Sequence, residues 1–247
     1  MKKHIADIII CTALIVIICM PVWSYLVPDK PLTVSETETA YLYYANETIE
    51  VEIPEDYVQL WTLRIGLPIR VSQLIDEDDP VAQSVAKWIQ ARYPDIPDWR
   101  KAVIAANIVK TNMNYVRDDF DHWNLPWETL RDGKGDCEDY SIMLCSILRA
   151  LGMDAVLLIE LNHACVGVAL EDFGAKYYYT SLDGTKYYYI NVTSANIYPG
   201  EYDGDAILKL SPGWNWCNML EFALYLAVLY LPIHVLYKVN QKRNEDE

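Results

Sequence analysis

The sequence predicts an α+β protein in which helices pack on an antiparallel sheet, flanked by two transmembrane helices. Two apolar runs lie near the ends of the 247-residue chain, at residues 8–27 and 219–237. Between them, apolar residues recur at helical spacing over residues 81–151 and then alternate in short runs over residues 155–192. Helices followed by hairpin-connected strands are typical of an α+β domain.

Composition and charge restrict the classes of function. Hydrophobic residues make up 52% of the chain and charged residues 22%, so the chain has enough apolar surface for a folded core. The 35 acidic and 20 basic residues give a formal net charge of -15. Such an acidic surface disfavours phosphate binding, and no nucleic-acid partner is expected.

The first apolar run follows Lys2 and Lys3 and contains about 20 residues, enough to span a bilayer as a helix. A cleaved signal peptide is the alternative, because a basic start and an apolar centre also fit one. The small residues that cleavage requires are scarce after this run. We therefore expect residues 1–27 to form an uncleaved anchor and residues 28–79 an extension with short strands.

The second apolar run has the flanks of a membrane-spanning helix. Tryptophans precede it and basic residues follow it, namely Trp214, Trp216, Lys238, Lys242 and Arg243. This arrangement predicts a transmembrane helix at residues 214–237 and a cytoplasmic tail at residues 238–247. A hydrophobic hairpin packed against the first segment is the alternative.

The basic residues lie at the two outer ends of the chain, which determines the expected topology. The positive-inside rule places both termini in the cytoplasm and residues 28–213 outside it. The lipid bilayer is therefore an expected partner of a two-pass protein with an extracytoplasmic domain.

The first half of the exposed region is predicted to contain two strands and then two helices. Period-two alternation predicts strands at residues 41–44 and 49–53. Apolar stripes predict helices over residues 81–93 and 98–115. An aromatic loop is expected at residues 120–127.

The second half of the exposed region is predicted to contain one helix and a sheet. A glycine-containing loop, the capping residue Asp136 and the terminal Gly152 bound a helix over residues 137–151. Four strands are expected after it, at residues 155–161, 163–170, 176–180 and 186–192. Asp183 and Gly184 are a strong hairpin signal between the last two strands.

Cys137 lies at the first turn of this helix, where free backbone N–H groups and the helix dipole stabilise a thiolate. The same N–H groups can donate to the oxyanion of an attacked carbonyl. His163 opens a predicted strand and could act as the base and acid for this thiol. A lone histidine is otherwise more often a packed or hydrogen-bonded residue.

The residues around Cys137 and His163 resemble those of the transglutaminase-like superfamily, which are cysteine enzymes of papain-like architecture. The matching segments are residues 127–130, 135–141, 148–152, His163 and residues 187–189. The resemblance covers roughly residues 80–195 and implies a transglutaminase-like domain at residues 80–213. It further implies a cysteine on a helix, a histidine and an acidic or amide residue on neighbouring strands, and acyl transfer through a thioester.

The third catalytic position departs from the family pattern. Family members typically carry Asp or Glu shortly after the aromatic strand, whereas Asn191 stands there in this chain. An amide can still orient an imidazole, so the predicted triad is Cys137, His163 and Asn191. Asp183 is the competing candidate, although its Asp-Gly pair marks a turn. Residues 191–193 also form a glycosylation sequon, and a glycan there would be incompatible with a triad role.

Two further groups of residues flank the candidate nucleophile. Trp123 and Trp127 could donate an indole N–H to the oxyanion or line the acyl pocket, as an aromatic does in some relatives, and core packing is the alternative. Glu138 and Asp139 are expected to interact with the helix dipole rather than to form a second acid–base pair or a metal site. No zinc-type spacing occurs, so no metal and no other cofactor is predicted.

The exposed domain contains Cys137, Cys145 and Cys165, and an odd number leaves at least one thiol free unless pairing is intermolecular. Cys145 and Cys165 are expected to be small core residues. A disulfide between these two is the alternative.

Together these features predict a membrane-anchored cysteine protease, amidase or transamidase. Its expected substrate is a peptide or isopeptide amide of a protein or peptide outside the cytoplasm. The alternative is a catalytically inactive transglutaminase-like membrane module, used for binding or assembly in an envelope or virion.

Overall fold

The computed structural model describes residues 37–55, 68–117 and 122–211. The predicted anchor at residues 1–27 and the predicted transmembrane helix at residues 214–237 lie outside the described residues. Within the three described ranges, no helix is both long enough and apolar enough to cross a membrane.

The described residues form five helices and nine strands. The helices are α1 (Pro68–Leu74), α2 (Pro80–Arg92), α3 (Asp98–Asn112), α4 (Pro126–Asp132) and α5 (Cys137–Ala150). The strands are β1 (Thr37–Tyr44), β2 (Glu47–Pro54), β3 (Asn114–Tyr115), β4 (Lys134–Gly135), β5 (Ala155–Ile159), β6 (Ala164–Ala169), β7 (Tyr178–Thr180), β8 (Lys186–Ile190) and β9 (Leu208–Leu210).

Strands β1 and β2 form an antiparallel hairpin, as the alternation of apolar residues predicts. Ala45 and Asn46 make the two-residue turn with φ angles of 51° and 63°, the left-handed conformation that such hairpin turns require. The buried face of β2 presents Ile49, Val51 and Ile53. This face packs against α2, so the hairpin contributes to the main core.

The central sheet has five antiparallel strands in the order β7-β8-β6-β5-β9. Helix α5 packs on β5 and β6, and α2, α3 and α4 cover its other sides. Its surroundings explain why α5 is apolar almost all round, with Ile142, Leu144 and Ile147 fully buried. The predicted α+β fold with an antiparallel sheet is therefore confirmed.

The sheet separates two apolar clusters. Cys145 lies in the large cluster on the α5 side, whereas Cys165 lies in a smaller cluster with Val156, Tyr187 and Tyr189 on the other side. Both thiols are free and buried. The alternative of a disulfide between them is therefore wrong, and the prediction of two core cysteines is confirmed.

The structure differs from the sequence predictions mainly in short elements. The helix predicted over residues 98–115 ends at Asn112, because Asn114 and Tyr115 pair in parallel with β4. Helix α4 begins within the expected aromatic loop, at Pro126. The unpredicted elements α1, α4, β3, β4 and β9 have seven residues or fewer, too short to establish a period.

Candidate functional site

Helix α5 begins in a tightly packed acidic turn. Asp136, the N-cap residue, donates its backbone N–H to Asp139 Oδ2 at 3.4 Å. Asp139 Oδ1 also accepts from the backbone N–H of Asn124 at 2.8 Å. A Cβ on Gly135 would lie 2.7 Å from the Asp139 side chain, so only glycine fits at this position. The turn thereby fixes Cys137 at the N-terminus of α5.

Burial changes the protonation of Asp139. Burial raises the pKa of Asp139 to about 7, while the hydrogen bonds from Asn124 oppose this rise and the charge of Asp136 adds to it. Asp139 therefore serves the structure of the turn, as the sequence analysis expected, but as a group that titrates near neutral pH.

Cys137 is half-buried, and its thiol donates to Glu138 Oε2 at 3.0 Å. Glu138 is only 4% exposed. Burial, followed by hydrogen bonds with Asp136 and Cys137, raises the pKa of Glu138 far above its usual range. Glu138 therefore contacts the sulfur, in addition to the helix-dipole role expected of it.

His163 lies between β5 and β6 and directly precedes Ala164, whose carbonyl contacts α5. Its carbonyl accepts from the backbone N–H of Glu160 at 2.8 Å, which closes the turn between the two strands. Ser141 lies one helical turn after Cys137 and donates its hydroxyl to the carbonyl of Ala164 at 3.1 Å. The Nε2 atom of His163 is buried without a hydrogen-bond partner, and no hydrogen bond joins it to Cys137.

A tyrosine packs against the imidazole and a glutamate binds that tyrosine, and local sequence signals neither of them. The ring of Tyr202 packs edge-on against His163 with centroids 6.0 Å apart. Tyr202 donates its hydroxyl to Glu160 Oε2 at 2.8 Å. Burial and this hydrogen bond raise the pKa of Tyr202. The two residues are 42 positions apart, so no local pattern could indicate their pairing.

Asn191 follows directly after β8 and is 6% exposed. Its Oδ1 atom accepts from both the backbone N–H and the hydroxyl of Thr193, at 3.1 and 2.8 Å. The amide oxygen is thus engaged within its own turn, and no hydrogen bond joins Asn191 to His163. Its burial also argues against the glycosylation alternative.

Asp183, the competing third residue, lies in the turn before β8. It is exposed, and it accepts from the hydroxyl of Ser181 and from the backbone N–H of Thr185 at 3.0 Å. These hydrogen bonds, that of Ser181 first, lower the pKa of Asp183 to about 2. Asp183 and Asn191 therefore lie beyond opposite ends of β8.

Both candidate tryptophans are buried in the main core, and they differ in the contacts of their rings. Trp123 precedes Asn124, which is bonded to the start of α5, and its Nε1 atom is buried without a hydrogen-bond partner. Trp127 is buried in the main core on α4, beneath the guanidinium of Arg131 at 5.2 Å from the ring centroid. Trp123 is therefore the better candidate, because its indole N–H has no hydrogen-bond partner and its neighbour Asn124 is bonded to the first turn of α5.

Tyr115 is a further neighbour of the nucleophile that the sequence analysis missed. Strand β3 pairs with β4 so that Tyr115 stands opposite Gly135, two positions before Cys137. Apolar spacing predicts Tyr115 at the end of a helix, and nothing in its local sequence signals this pairing.

Among the described residues, one group of three side chains could share a metal ion. Asp136, Cys137 and Glu138 each present a ligand atom, and these atoms lie within 4.8 Å of one another. Two carboxylates and a thiolate are ligands that divalent cations accept. A cation bound there would occupy the sulfur and compete with acyl transfer.

Comparison with known proteins gives one family and several distant structures. Residues 80–183 match the profile of the transglutaminase-like superfamily. A candidate protease from Parabacteroides distasonis is 10% identical, with 68% of this chain covered, 41% of that chain covered and a TM-score of 0.36. A candidate cysteine protease from Cytophaga hutchinsonii is 14% identical, with 64% of this chain and 62% of that chain covered and a TM-score of 0.33.

A third structure, EGTA-treated LapG from Legionella pneumophila, is 18% identical, with 53% of this chain and 81% of that chain covered and a TM-score of 0.32. No curated protein matches this chain in sequence. The chain spans less than two thirds of the length of the first two structures.

The family profile covers the helix that carries Cys137 and the strand that follows His163. Its matched segment begins at the first residue of α2 and ends in the turn between β7 and β8. Residues 80–183 of this chain are therefore similar to the transglutaminase-like superfamily.

Proposed function

We propose that this protein is a membrane-anchored cysteine enzyme that cleaves or transfers peptide or isopeptide amides outside the cytoplasm. Cys137 is its nucleophile and His163 its base and acid. The observation that carries the proposal is the unpartnered, buried Nε2 atom of His163, which directly precedes the residue that accepts a hydrogen bond from Ser141 of α5. Buried polar atoms are rarely left unpaired, and such exceptions are found where a group serves chemistry.

The environment of the sulfur supports thiolate chemistry. The N-terminus of α5 contributes partial positive charge and free N–H groups beside Cys137. Because its pKa is raised, Glu138 carries less negative charge next to the sulfur than an ordinary glutamate would, and its Oε2 atom accepts from the thiol.

The reaction follows from these positions. Nε2 of His163 takes the thiol proton, and the sulfur of Cys137 attacks the amide carbonyl carbon. The backbone N–H of Cys137 and the indole N–H of Trp123 donate to the oxyanion. The carbon–nitrogen bond breaks, the amine leaves with the proton from His163, and water or a second amine resolves the thioester.

Asn191 is the proposed third residue of the triad, with a condition that its contacts impose. Its oxygen accepts two hydrogen bonds from Thr193, so it can accept from the His163 ring only after losing one of them. We expect Asn191→Ala to slow the enzyme less than His163→Ala does. The Tyr202 ring is a second support for the imidazole.

A catalytically inactive module, used for binding or assembly in an envelope or virion, is the second candidate function. It is favoured by the hydrogen bond from the Cys137 thiol to Glu138 and by the engagement of Asn191 with Thr193. In this alternative the turn at residues 136–139 serves only to stabilise the start of α5, and the Cys137 thiol reacts no faster than an ordinary thiol.

An acyl-transfer assay on the full chain in mild detergent tests the proposal. With p-nitrophenyl acetate as a minimal acyl donor, we expect a burst of one p-nitrophenol per chain, because the first acyl transfer forms a thioester. Cys137→Ala should abolish the burst and His163→Ala should slow it at least tenfold.

Cys145→Ala is the matched control for this assay. Burial raises the pKa of Cys145 to about 12, so removal of this thiol should leave the burst unchanged. A burst that persists in Cys137→Ala, or no burst in the wild type together with ordinary alkylation of Cys137, favours the inactive module.

The membrane part of the proposal rests on the apolar runs at residues 8–27 and 219–237 and their basic flanks. We expect the full chain to stay in the membrane fraction during alkaline carbonate extraction. In intact cells, a membrane-impermeant maleimide should label a cysteine introduced at exposed Asn46 but not one introduced at Glu247. Labelling of the terminal position alone would place the domain in the cytoplasm.

A further inference from the structure

Glu160 and His163 belong to the same turn, which joins β5 to β6. The backbone N–H of Glu160 donates to the carbonyl of His163 at 2.8 Å. The Nε2 atom of His163 is buried without a hydrogen-bond partner, so no bond at this atom sets the direction in which it points. The last torsion of a histidine side chain has no sharp preference of its own. The orientation of the imidazole therefore depends on the groups packed against it.

The ring of Tyr202 is packed against this imidazole. The two ring centroids are 6.0 Å apart and the planes cross at 67°, an edge-to-face contact. Tyr202 also packs edge-on against Tyr189, with centroids 6.1 Å apart. Tyr189 is buried, and its hydroxyl accepts from the backbone N–H of Ala206 at 3.2 Å. Tyr202 therefore connects the imidazole to a ring that is itself fixed by the fold.

Glu160 holds the other end of Tyr202. The Tyr202 hydroxyl donates to Glu160 Oε2 at 2.8 Å, and the thiol of buried Cys165 donates to Glu160 Oε1 at 3.8 Å. A Cβ on Gly204 would lie 2.7 Å from Glu160 Oε1, so the backbone also lies close to this carboxyl group. Both oxygens of Glu160 are engaged, and any movement of the group breaks one of these bonds.

This pair provides a support that Asn191 does not provide in this structure. The Oδ1 atom of Asn191 accepts two hydrogen bonds from Thr193. Glu160, by contrast, reaches His163 twice, through the backbone of the turn and through the Tyr202 ring. A carboxyl group thus supports the candidate base from the turn before β6, whereas the family pattern has its acidic residue after the aromatic strand.

We propose that Glu160 and Tyr202 are positioning residues for the imidazole of His163. Glu160 holds the Tyr202 hydroxyl, and the Tyr202 ring holds the imidazole in the orientation that proton transfer with Cys137 requires. This inference rests on the proposed function, because it concerns the base of the same reaction. Neither residue exchanges a proton with the substrate. Both act by limiting rotation of the imidazole, which raises the share of chains in the reactive orientation.

The p-nitrophenol burst from p-nitrophenyl acetate, measured on the full chain in mild detergent, tests this role. Glu160→Ala and Tyr202→Phe break the same hydrogen bond, so each should slow the burst to a similar extent. We expect a slowing of about fivefold, the shift in orientation that one edge-to-face ring contact can sustain. Glu160→Gln keeps an acceptor oxygen for Tyr202 and should stay within about twofold of the wild type.

Asp154→Ala is the matched control. Tyr187 donates its hydroxyl to Asp154 Oδ2 at 2.8 Å, so this pair makes the same kind of bond at the same distance. Asp154 directly precedes β5, whereas Glu160 directly follows it, so the control pair lies at the other end of that strand. The burst rate of Asp154→Ala should equal that of the wild type.

A double-mutant cycle with His163→Ala separates positioning from a purely structural role. If Glu160 acts through the imidazole, Glu160→Ala should slow the burst only when His163 is present. In the His163→Ala background, the already slow burst should change by less than about twofold. A residue that only stabilises the fold would slow both backgrounds by the same factor.

Four results would overturn the inference, and they identify which proposal fails. An unchanged burst in Glu160→Ala, with His163→Ala still slow, rejects the role of the pair and leaves the proposed function standing. Equal slowing in Glu160→Ala and Asp154→Ala, or equal slowing by Glu160→Ala in both backgrounds, shows a loss of stability and also rejects only that role. A burst that persists in Cys137→Ala rejects both proposals.

Discussion

The two ends of helix α5 have opposite polar environments. At the C-terminal end, Arg149 lies 3.3 Å from Glu77 and 3.8 Å from Asp154 and donates to the carbonyl of Ala155 at 3.2 Å. At the N-terminal end, no ion pair joins a described cation to the three buried carboxyl groups. These are Asp136, Glu138 and Asp139.

This difference indicates which end serves stability and which serves chemistry. A basic residue at a helix C-terminus stabilises the helix dipole at little cost. By contrast, Oδ1 of Asp136 and Oε1 of Glu138 are buried without hydrogen-bond partners, which destabilises the fold. Proteins retain such destabilising buried groups mainly at functional sites. Cys137 lies between these two carboxyls in the chain.

The largest expected effect is a free energy of unfolding that falls as the pH rises from 4 to 7, the opposite of what ion-paired carboxylates produce. Burial raises the pKa of Asp139 and of Asp79, at the start of α2, from the usual 3.8 to about 7. Because the folded state then binds protons more tightly than the unfolded chain, this stabilisation is complete below pH 4 and is lost as the pH rises through 7. The loss is at most about 4 kcal/mol per carboxyl, measurable by chemical denaturation between pH 4 and 8.

Two variants sharpen this prediction. Asp139→Asn should roughly halve the decline between pH 4 and 7, because only Asp79 of the two titrating groups remains. Asp98→Asn removes an exposed carboxyl at the start of α3 and should leave the decline unchanged. A free energy of unfolding that rises steadily over this range contradicts the assignment of buried protonated carboxyls.

The next largest effect compares a glycine at each end of α5. Gly135→Ala places a Cβ 2.7 Å from Asp139, so we expect a loss of roughly 2 to 3 kcal/mol in the free energy of unfolding and slower alkylation of Cys137. Gly152→Ala meets open space but has a φ of +84°, and it should cost about 1 kcal/mol without affecting Cys137. Equal effects on alkylation would remove the distinction between the two ends.

A smaller effect compares two buried serines of α5. Ser141 donates to the carbonyl of Ala164 beside His163, whereas Ser146, in the second half of the helix, accepts from the backbone N–H of Asp76 at 3.0 Å. Replacement of either by Ala leaves a buried group unpaired and should destabilise the fold by about 1 to 2 kcal/mol. Only Ser141→Ala should also slow the acyl-transfer burst, since it alone affects the position of His163. A similar slowing in Ser146→Ala argues for a general effect of stability.

The smallest effect is expected at the C-terminal ion pairs. Arg149→Ala should cost no more than about 1 kcal/mol at low salt, because its partners are largely exposed. The cost should shrink in 1 M sodium chloride as the charges are screened. A salt-independent loss of several kcal/mol would show that this end is also a specialised site.

The strongest sequence patterns predicted the corresponding parts of the fold. Period-two alternation predicted the β1–β2 hairpin, and Asp183-Gly184 predicted the turn between β7 and β8. The loop, the N-cap Asp136 and the apolar stripe predicted α5. These signals depend on residues close together in the chain, so local sequence is sufficient for them.

Other parts could not be predicted because their stabilising contacts are remote in sequence. Strands β3 and β4 have two residues each and form only because they pair with each other. The pairing of Tyr202 with Glu160 spans 42 positions. A two-residue strand is too short to show an alternation of apolar and polar residues. A contact between residues 42 positions apart leaves no regular spacing in the sequence.

The sequence by itself determined the fold class, the position of Cys137 at a helix start and the candidate base His163, because capping and periodicity are local properties. Only the tertiary structure decided the raised pKa of Glu138, the engagement of Asn191 with Thr193 and the place of Tyr115 beside the start of α5. Each of these depends on burial and on hydrogen bonds made after the chain packs. Desolvation and pairing shift a titratable group by amounts that no residue type carries on its own.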